Sequence, residues 1–155
     1  MALPQRKHPV HVPAVERSGE GVIVFLTVCT HQRKRILAAA DVVQLLEESW
    51  RRATNWMVGG FVVMPDHLHL FCAPAEMQGR PLAKWIQYWK ALVPRRWPRP
   101  AQQPVWQPDF WDTQLRRGHH YDEKWEYVRQ NPVRAGLVKR PEDWPYQGEV
   151  NELRQ

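Results

Sequence analysis

Apolar positions in this chain follow two rhythms, and the first is a period of two. Gly21 to Cys29 (GVIVFLTVC) is a short β-branched run that predicts a buried strand. Asn55 to Val63 predicts a second strand, broken by Gly59-Gly60. A hairpin turn at that pair would leave only a stub before it, so a bulge or a close backbone approach inside the strand is expected. Met64-Pro65-Asp66 then turns the chain, and His67 to Ala73 returns antiparallel until Pro74 ends it. On that strand Leu68 and Leu70 point to one face, His67 and His69 to the other.

The second rhythm is helical. Asp41 is placed to cap a helix running through Ala53, with Val42, Leu45, Leu46, Ser49 and Trp50 on its apolar side. Pro81 to Val93 predicts another, with the stripe Leu82, Trp85, Ile86, Trp89 and Leu92. Its two indoles read as core rather than as a base-stacking platform. Pro94 to Pro108 holds prolines at 94, 98, 100, 104 and 108 and reads as an extended loop. Trp106 to Leu115 is a weak fourth strand, and Tyr121 to Gln130 a final helix closed by Asn131-Pro132. On that helix Tyr121, Trp125 and Val128 share the packing side, while Tyr127 and Asn131, four apart, are aligned elsewhere.

Strand, helix, strand, strand, helix, strand is the order of a split βαβ layout. The expected class is α+β: a ferredoxin-like α/β sandwich, an antiparallel sheet with helices on one face plus a C-terminal helix. Residues 1–20, polar and basic, read as a flexible arm, 21–146 as one domain, and 147–155 as a short tail.

Composition adds a partner. The 155 residues are 43% hydrophobic and 25% charged, ordinary for a globular chain, but they include nine Trp and carry a net charge of +6. A basic, aromatic-rich domain suits a polyanion with bases to stack on, although a merely basic surface has the same charge. On charge grounds, the residues that could meet a DNA backbone are Arg33, Lys34, Arg35, Arg95, Arg96, Arg99, Arg134 and Lys139. Trp97 among the loop arginines could stack on a base. Two cysteines make no disulfide framework. With no apolar leader and no membrane-length run, a cytoplasmic, nucleoid-associated protein without membrane contact is expected.

The histidine pair admits three readings. His67 and His69 are surface residues of an edge strand, part of a zinc site, or half of an open metal seat. Cys72 has the wrong strand parity for zinc, and Cys29 is distant in sequence. Two imidazoles and one amide, Asn131, could hold Mg²⁺ or Mn²⁺ and leave positions free for a phosphate. Tyr127 would then lie one helical turn from the metal. A free phenol is a weak nucleophile at neutral pH, and a metal on the phosphate would compensate.

The motifs Val63-Met64-Pro65-Asp66-His67-Leu68-His69, Trp106-Gln107-Pro108-Asp109-Phe110-Trp111-Asp112 with Leu115-Arg116, Tyr127-Val128-Arg129-Gln130-Asn131-Pro132-Val133-Arg134-Ala135-Gly136-Leu137-Val138 and Pro141-Glu142-Asp143-Trp144-Pro145-Tyr146 occur in this order. In them the chain resembles the REP-associated tyrosine transposases, a branch of the HUH single-strand DNA transposases. The resemblance implies a DNA nuclease and strand transferase acting at palindromic repeat hairpins through a covalent 5′-phosphotyrosine. It implies His67 and His69 as metal ligands, Asn131 as the third, Tyr127 as the nucleophile, and single-stranded or hairpin DNA as partner. Asp112 and Arg116 belong to the resemblance, with a role in the fold or on the DNA backbone. A monomer and a homodimer are both compatible with it. The alternatives are an HUH-type replication or mobilisation nickase, or a DNA-binding module that no longer cuts.

Overall fold

The computed structural model describes residues 22–76, 79–115 and 118–153. The N-terminal segment read as an arm, and Arg116, lie outside them. The elements are β1 (Ile23–Cys29), α1 (Ala40–Arg52), β2 (Trp56–Val63), β3 (His67–Pro74), α2 (Leu82–Arg95), β4 (Trp111–Leu115), α3 (Gly118–Arg129), α4 (Asn131–Arg134) and β5 (Gln147–Glu149). They build one antiparallel sheet in the order β4-β1-β3-β2-β5, so β1 and β3 are central. The first four strands in this order are the ferredoxin-like sheet that the element order implied.

Strand parity sorts the core into two layers. Val24, Leu26 and Val28 of β1 and Leu68, Leu70 and Cys72 of β3 face α1 and α2, where Trp85 and Trp89 are wholly buried. The α2 indoles are core, and truncating either to Ala is expected to cost about 3–5 kcal/mol. Ile23 of β1 and Phe71 and Ala73 of β3 face the other way, against Tyr121 and Val128 of α3. Helices therefore cover both faces: α1 and α2 one, α3 the other.

The Gly59-Gly60 break is a register shift between Val58 and Phe61 in the β2–β3 ladder. A Cβ on Gly60 would stand 3.0 Å from the Trp125 ring, and one on Gly59 would stand 2.9 Å from the Tyr121 hydroxyl and 2.5 Å from Leu153. The glycines let α3 and the C-terminal segment come against the sheet. That segment is no tail. Residues 147–149 pair with β2, and Leu153 is buried.

Four local expectations change. Asp41 does not cap α1: Ala39 is the N-cap, and the Asp41 carboxylate takes both Arg99 guanidinium nitrogens, at 2.9 and 3.1 Å. Trp97 is buried, its Nε1 donating to Gln102 Oε1, and offers no stacking surface. α2 ends at Arg95, one residue beyond the proline at 94, which falls in the last turn of the helix. The final helix divides at Gln130, because Pro132 has no N–H to continue the ladder, and α4 starts at Asn131.

Candidate functional site

β3 brings His67 and His69 to the sheet face that α3 covers. Their rings meet edge to face with centroids 4.8 Å apart. Neither is a surface residue: His67 is 5% exposed and His69 1%. Each is held from behind through Nδ1. His67 Nδ1 lies 2.7 Å from Asp66 Oδ1, and Asp66 Oδ2 also takes Arg33. His69 Nδ1 lies 2.8 Å from Thr27 Oγ1, its cross-strand neighbour on β1, and the ring stacks on Phe25 at 5.2 Å. An ionised carboxylate only accepts, so His67 donates from Nδ1 and its Nε2 carries the lone pair.

Burial sets the charge state. It lowers His67, outweighing the Asp66 contact that raises it. Burial also takes His69 well below the ordinary imidazole range, helped by the charges of His67, Lys124, Arg134 and Arg33. Burial pushes the Asp66 carboxyl up, but His67 and Arg33 together reverse this and leave it below the usual value. The result is a pair of neutral imidazoles backed by a carboxylate and a hydroxyl, as metal-binding histidines commonly are.

Asn131 opens α4 and is 3% exposed. Its Oδ1 accepts from Arg134 Nη2, which also donates to the Tyr127 carbonyl at 2.9 Å. His67 Nε2, His69 Nε2 and Asn131 Nδ2 are buried with no hydrogen-bond partner. An amide oxygen has two lone pairs, so Arg134 leaves one free. By donor chemistry, two imidazole nitrogens and one amide oxygen could hold a divalent ion. Among the described residues no cluster of three or more His, Cys, Asp or Glu side chains offers another set of donors.

Tyr127 is 52% exposed, and cations flank its ring: Arg134 at 4.1 Å and Lys124 at 5.3 Å from the centroid. Lys124 Nζ also sits 4.8 Å from the Phe25 centroid, and Phe25 is the ring beneath His69. Contacts thus run from Tyr127 through Lys124 and Phe25 to the imidazoles. Tyr121, the other phenol of α3, is buried. Its hydroxyl accepts from Gly60 N–H at 3.3 Å, and burial raises its pKa.

The basic residues chosen on charge do not converge. Arg33 is held by Asp66, Lys34 donates to the Gln102 carbonyl, and Arg99 is held by Asp41. Arg95 and Arg96 line a cleft of about 200 Å³ between α1 and α2, across the sheet from the histidines. Asp112 pairs with Leu26 and so takes the α1–α2 parity. Arg35 and Lys139 are exposed. Phe25, Thr27, Asp66 and Lys124 were not singled out from the sequence. Lys124 alone carried a local signal, three residues before Tyr127 on one helix. Thr27 and Phe25 needed the β1–β3 register.

No family model matches the chain. It is 27% identical over 125 residues to the REP-associated tyrosine transposase of Escherichia coli K12, covering 79% of this chain and 73% of that protein. It is 28% identical over 141 residues to a Haemophilus influenzae protein that bears the same family name, covering 82% and 79%. Among solved structures, a REP-associated tyrosine transposase bound to a REP hairpin superposes with a TM-score of 0.69 at 22% identity, over 95% of this chain and 82% of that one. A transposase-type protein from Deinococcus radiodurans follows at 0.51 and 18%, over 74% and 95%. Over most of its length the chain is thus similar in sequence to two REP-associated tyrosine transposases, and it shares its fold with a solved member of that family.

Proposed function

We propose that this protein cleaves and rejoins single-stranded DNA beside palindromic repeat hairpins, with Tyr127 as nucleophile and a Mg²⁺ or Mn²⁺ ion seated by His67, His69 and Asn131. The observation that supports this reading is the pair of buried imidazoles, His67 and His69, whose Nε2 atoms have no partner and whose rings stand 4.8 Å apart on the sheet face covered by α3, the helix of the exposed Tyr127. The E. coli and H. influenzae relatives bear the family name, and the solved relative holds a REP hairpin. These supply the substrate class.

When bound, the metal would polarise the scissile phosphate and offset charge in the transition state. The other steps belong to the chain. Tyr127 Oη attacks phosphorus, the P–O bond to the 3′ oxygen breaks, and a 5′-phosphotyrosine forms. The phenolic proton passes to water, since Tyr127 is open to solvent, and the departing 3′ oxygen takes a proton from water. One phosphodiester replaces another, so a 3′-hydroxyl can reverse the step without ATP. Asp66 and Thr27 hold the imidazole rings in place. Tyr121 is excluded as nucleophile by its burial and its Gly60 contact.

The test is a denaturing gel after incubation with a REP-type hairpin oligonucleotide carrying a single-stranded flank, with Mg²⁺ or Mn²⁺. A protein–DNA adduct is expected, and it should vanish in Tyr127→Phe and His67→Ala. An adduct that survives Tyr127→Phe overturns the assignment of the nucleophile. No adduct with either metal would leave a DNA-binding module. Binding should weaken steeply with salt, because phosphates supply much of the affinity.

A further inference from the structure

Lys124 holds an ammonium in an unusual place. Its Nζ lies 4.8 Å from the centroid of Phe25 and 5.3 Å from that of Tyr127, between the ring that supports His69 and the phenol. The carboxylates of Asp66 and Glu126 are engaged elsewhere, Asp66 with His67 and Arg33, Glu126 with Arg129. Among the described residues Lys124 itself has no hydrogen bond or ion pair, only the two ring faces. Lysine side chains half-buried on aromatic rings ordinarily reach water or a carboxylate with the ammonium. The neighbouring cation is differently placed: Arg134 is tied to Asn131 and to the Tyr127 backbone.

From this geometry we infer that Lys124 binds a non-bridging oxygen of the scissile phosphate, holding it between the imidazole pair and the Tyr127 oxygen. The inference rests on the tyrosine reading above and adds to it the residue that meets the phosphate. The negative charge on those oxygens rises as the phenol attacks, so a fixed ammonium favours the transition state over the bound substrate. It also gives the DNA strand a register: one linkage, opposite Lys124, is placed in line with Tyr127.

The test couples one side chain to one phosphate and needs no turnover. In a Tyr127→Phe background with EDTA present, the affinity for the hairpin oligonucleotide is measured while a neutral methylphosphonate is walked along the single-stranded flank, one linkage at a time. With Lys124 in place, one linkage should weaken binding by about tenfold when neutralised, a charge-assisted contact being lost. In Lys124→Met the same replacement should change nothing, while the other linkages behave as before. Lys124→Arg should restore the sensitivity. The coupled linkage should be the one at which the unmutated protein forms its adduct. A Lys124→Met profile equal to the parent at every linkage overturns the inference, and so does coupling at a linkage that is not cut. If the unmutated protein forms no adduct, the tyrosine reading itself falls. An adduct with no coupled linkage sinks only the role of Lys124.

Discussion

Gly60 decides how closely α3, the helix of the proposed nucleophile, can approach the strand of the histidine pair. Adding a methyl in Gly60→Ala places a carbon 3.0 Å from three atoms of the Trp125 ring, tighter than ordinary carbon contacts. A rigid indole on α3 cannot fold out of the way as a Leu could, so the helix must move by a few tenths of an ångström. Overpacking of this kind costs about 1–3 kcal/mol. The movement also stretches the Gly60 N–H to Tyr121 contact, already 3.3 Å, worth about 0.5–1.5 kcal/mol. Against this, Ala reduces the freedom of the unfolded chain by about 0.4–1 kcal/mol. The net expectation is a loss of about 1–3 kcal/mol, or a fall in Tm of several degrees at about 2–4 °C per kcal/mol for a chain of this size. Urea unfolding of wild type, Gly60→Ala, Trp125→Leu and the double variant isolates the clash. The smaller Leu side chain should make Gly60→Ala nearly neutral, a coupling of about 1–2 kcal/mol. Adduct formation should fall further than stability does, because Tyr127 rides on the displaced helix. Additive single variants, or Gly60→Ala with wild-type stability and activity, would refute the account of how α3 is seated.

Other consequences are quicker to check. Tyr121→Phe should still form the DNA adduct while losing about 1 kcal/mol in urea, since its buried hydroxyl serves Gly60 N–H; Tyr127→Phe, at an exposed ring, should lose the adduct and keep its stability. Mn²⁺ at a hundredfold excess over its Kd should stabilise the wild type by about 2.7 kcal/mol in a thermal scan. His69→Leu should lose that response yet melt no lower than metal-free wild type by more than about 1 kcal/mol, because it removes a buried orphan nitrogen along with the Thr27 bond. Burial lowers Lys90 from 10.5 to about 8. The folded state therefore releases this proton first, and stability carried by Lys90 should rise between pH 8 and 10.5 by up to about 3 kcal/mol, at about 1.4 kcal/mol per pH unit. A Lys90→Met variant should lack the rise, and equal pH curves for the two proteins would refute it.

Much of this fold is legible because strand parity is a local property. The alternation of His67 and His69 with Leu68 and Leu70 separates the two sheet faces before any partner strand is known, and Cys72 goes to the α1–α2 side as parity demands. Gly59-Gly60 likewise announces a close approach, though not that Trp125 and Leu153 make it. What stays hidden is long-range. Asp41 reads as a cap because Arg99, fifty-eight residues away, is invisible to local pattern. Trp97 reads as exposed because its loop is rich in proline and arginine, yet Gln102 satisfies its indole N–H within five residues and the ring sinks into the core. β5, three residues long, is too short for any periodicity to show. Charge is the least informative cue of all. Among the described residues, Arg33, Lys34, Arg99 and Arg134 are engaged within the protein, and Arg95 and Arg96 stand on the far side of the sheet.

The buried atoms left without partners bear on the proposed union of the two halves of the site. Among the described residues they are three indole N–H groups, of Trp50, Trp89 and Trp111, and the polar atoms of His67, His69 and Asn131. An indole buries so much apolar surface that one unpaired N–H is a small loss against it. The imidazoles and the amide have no such compensation: each unpaired buried group costs about 1–3 kcal/mol, and an apolar side chain of similar size would fill the space without that cost. Scattered through the core, three such groups would be three separate defects. Here two sit on one strand with ring centroids 4.8 Å apart, and the third is tied through Arg134 to the residue whose ring Lys124 joins to the same strand pair. A cation held by both imidazoles would offset their two losses at once, while the Asn131 Nδ2 donor would need an acceptor of its own. If Asn131 Oδ1 is its third ligand, as proposed, the same ion would anchor the C-terminal helices to the central strands, and filling the seat would help to place Tyr127.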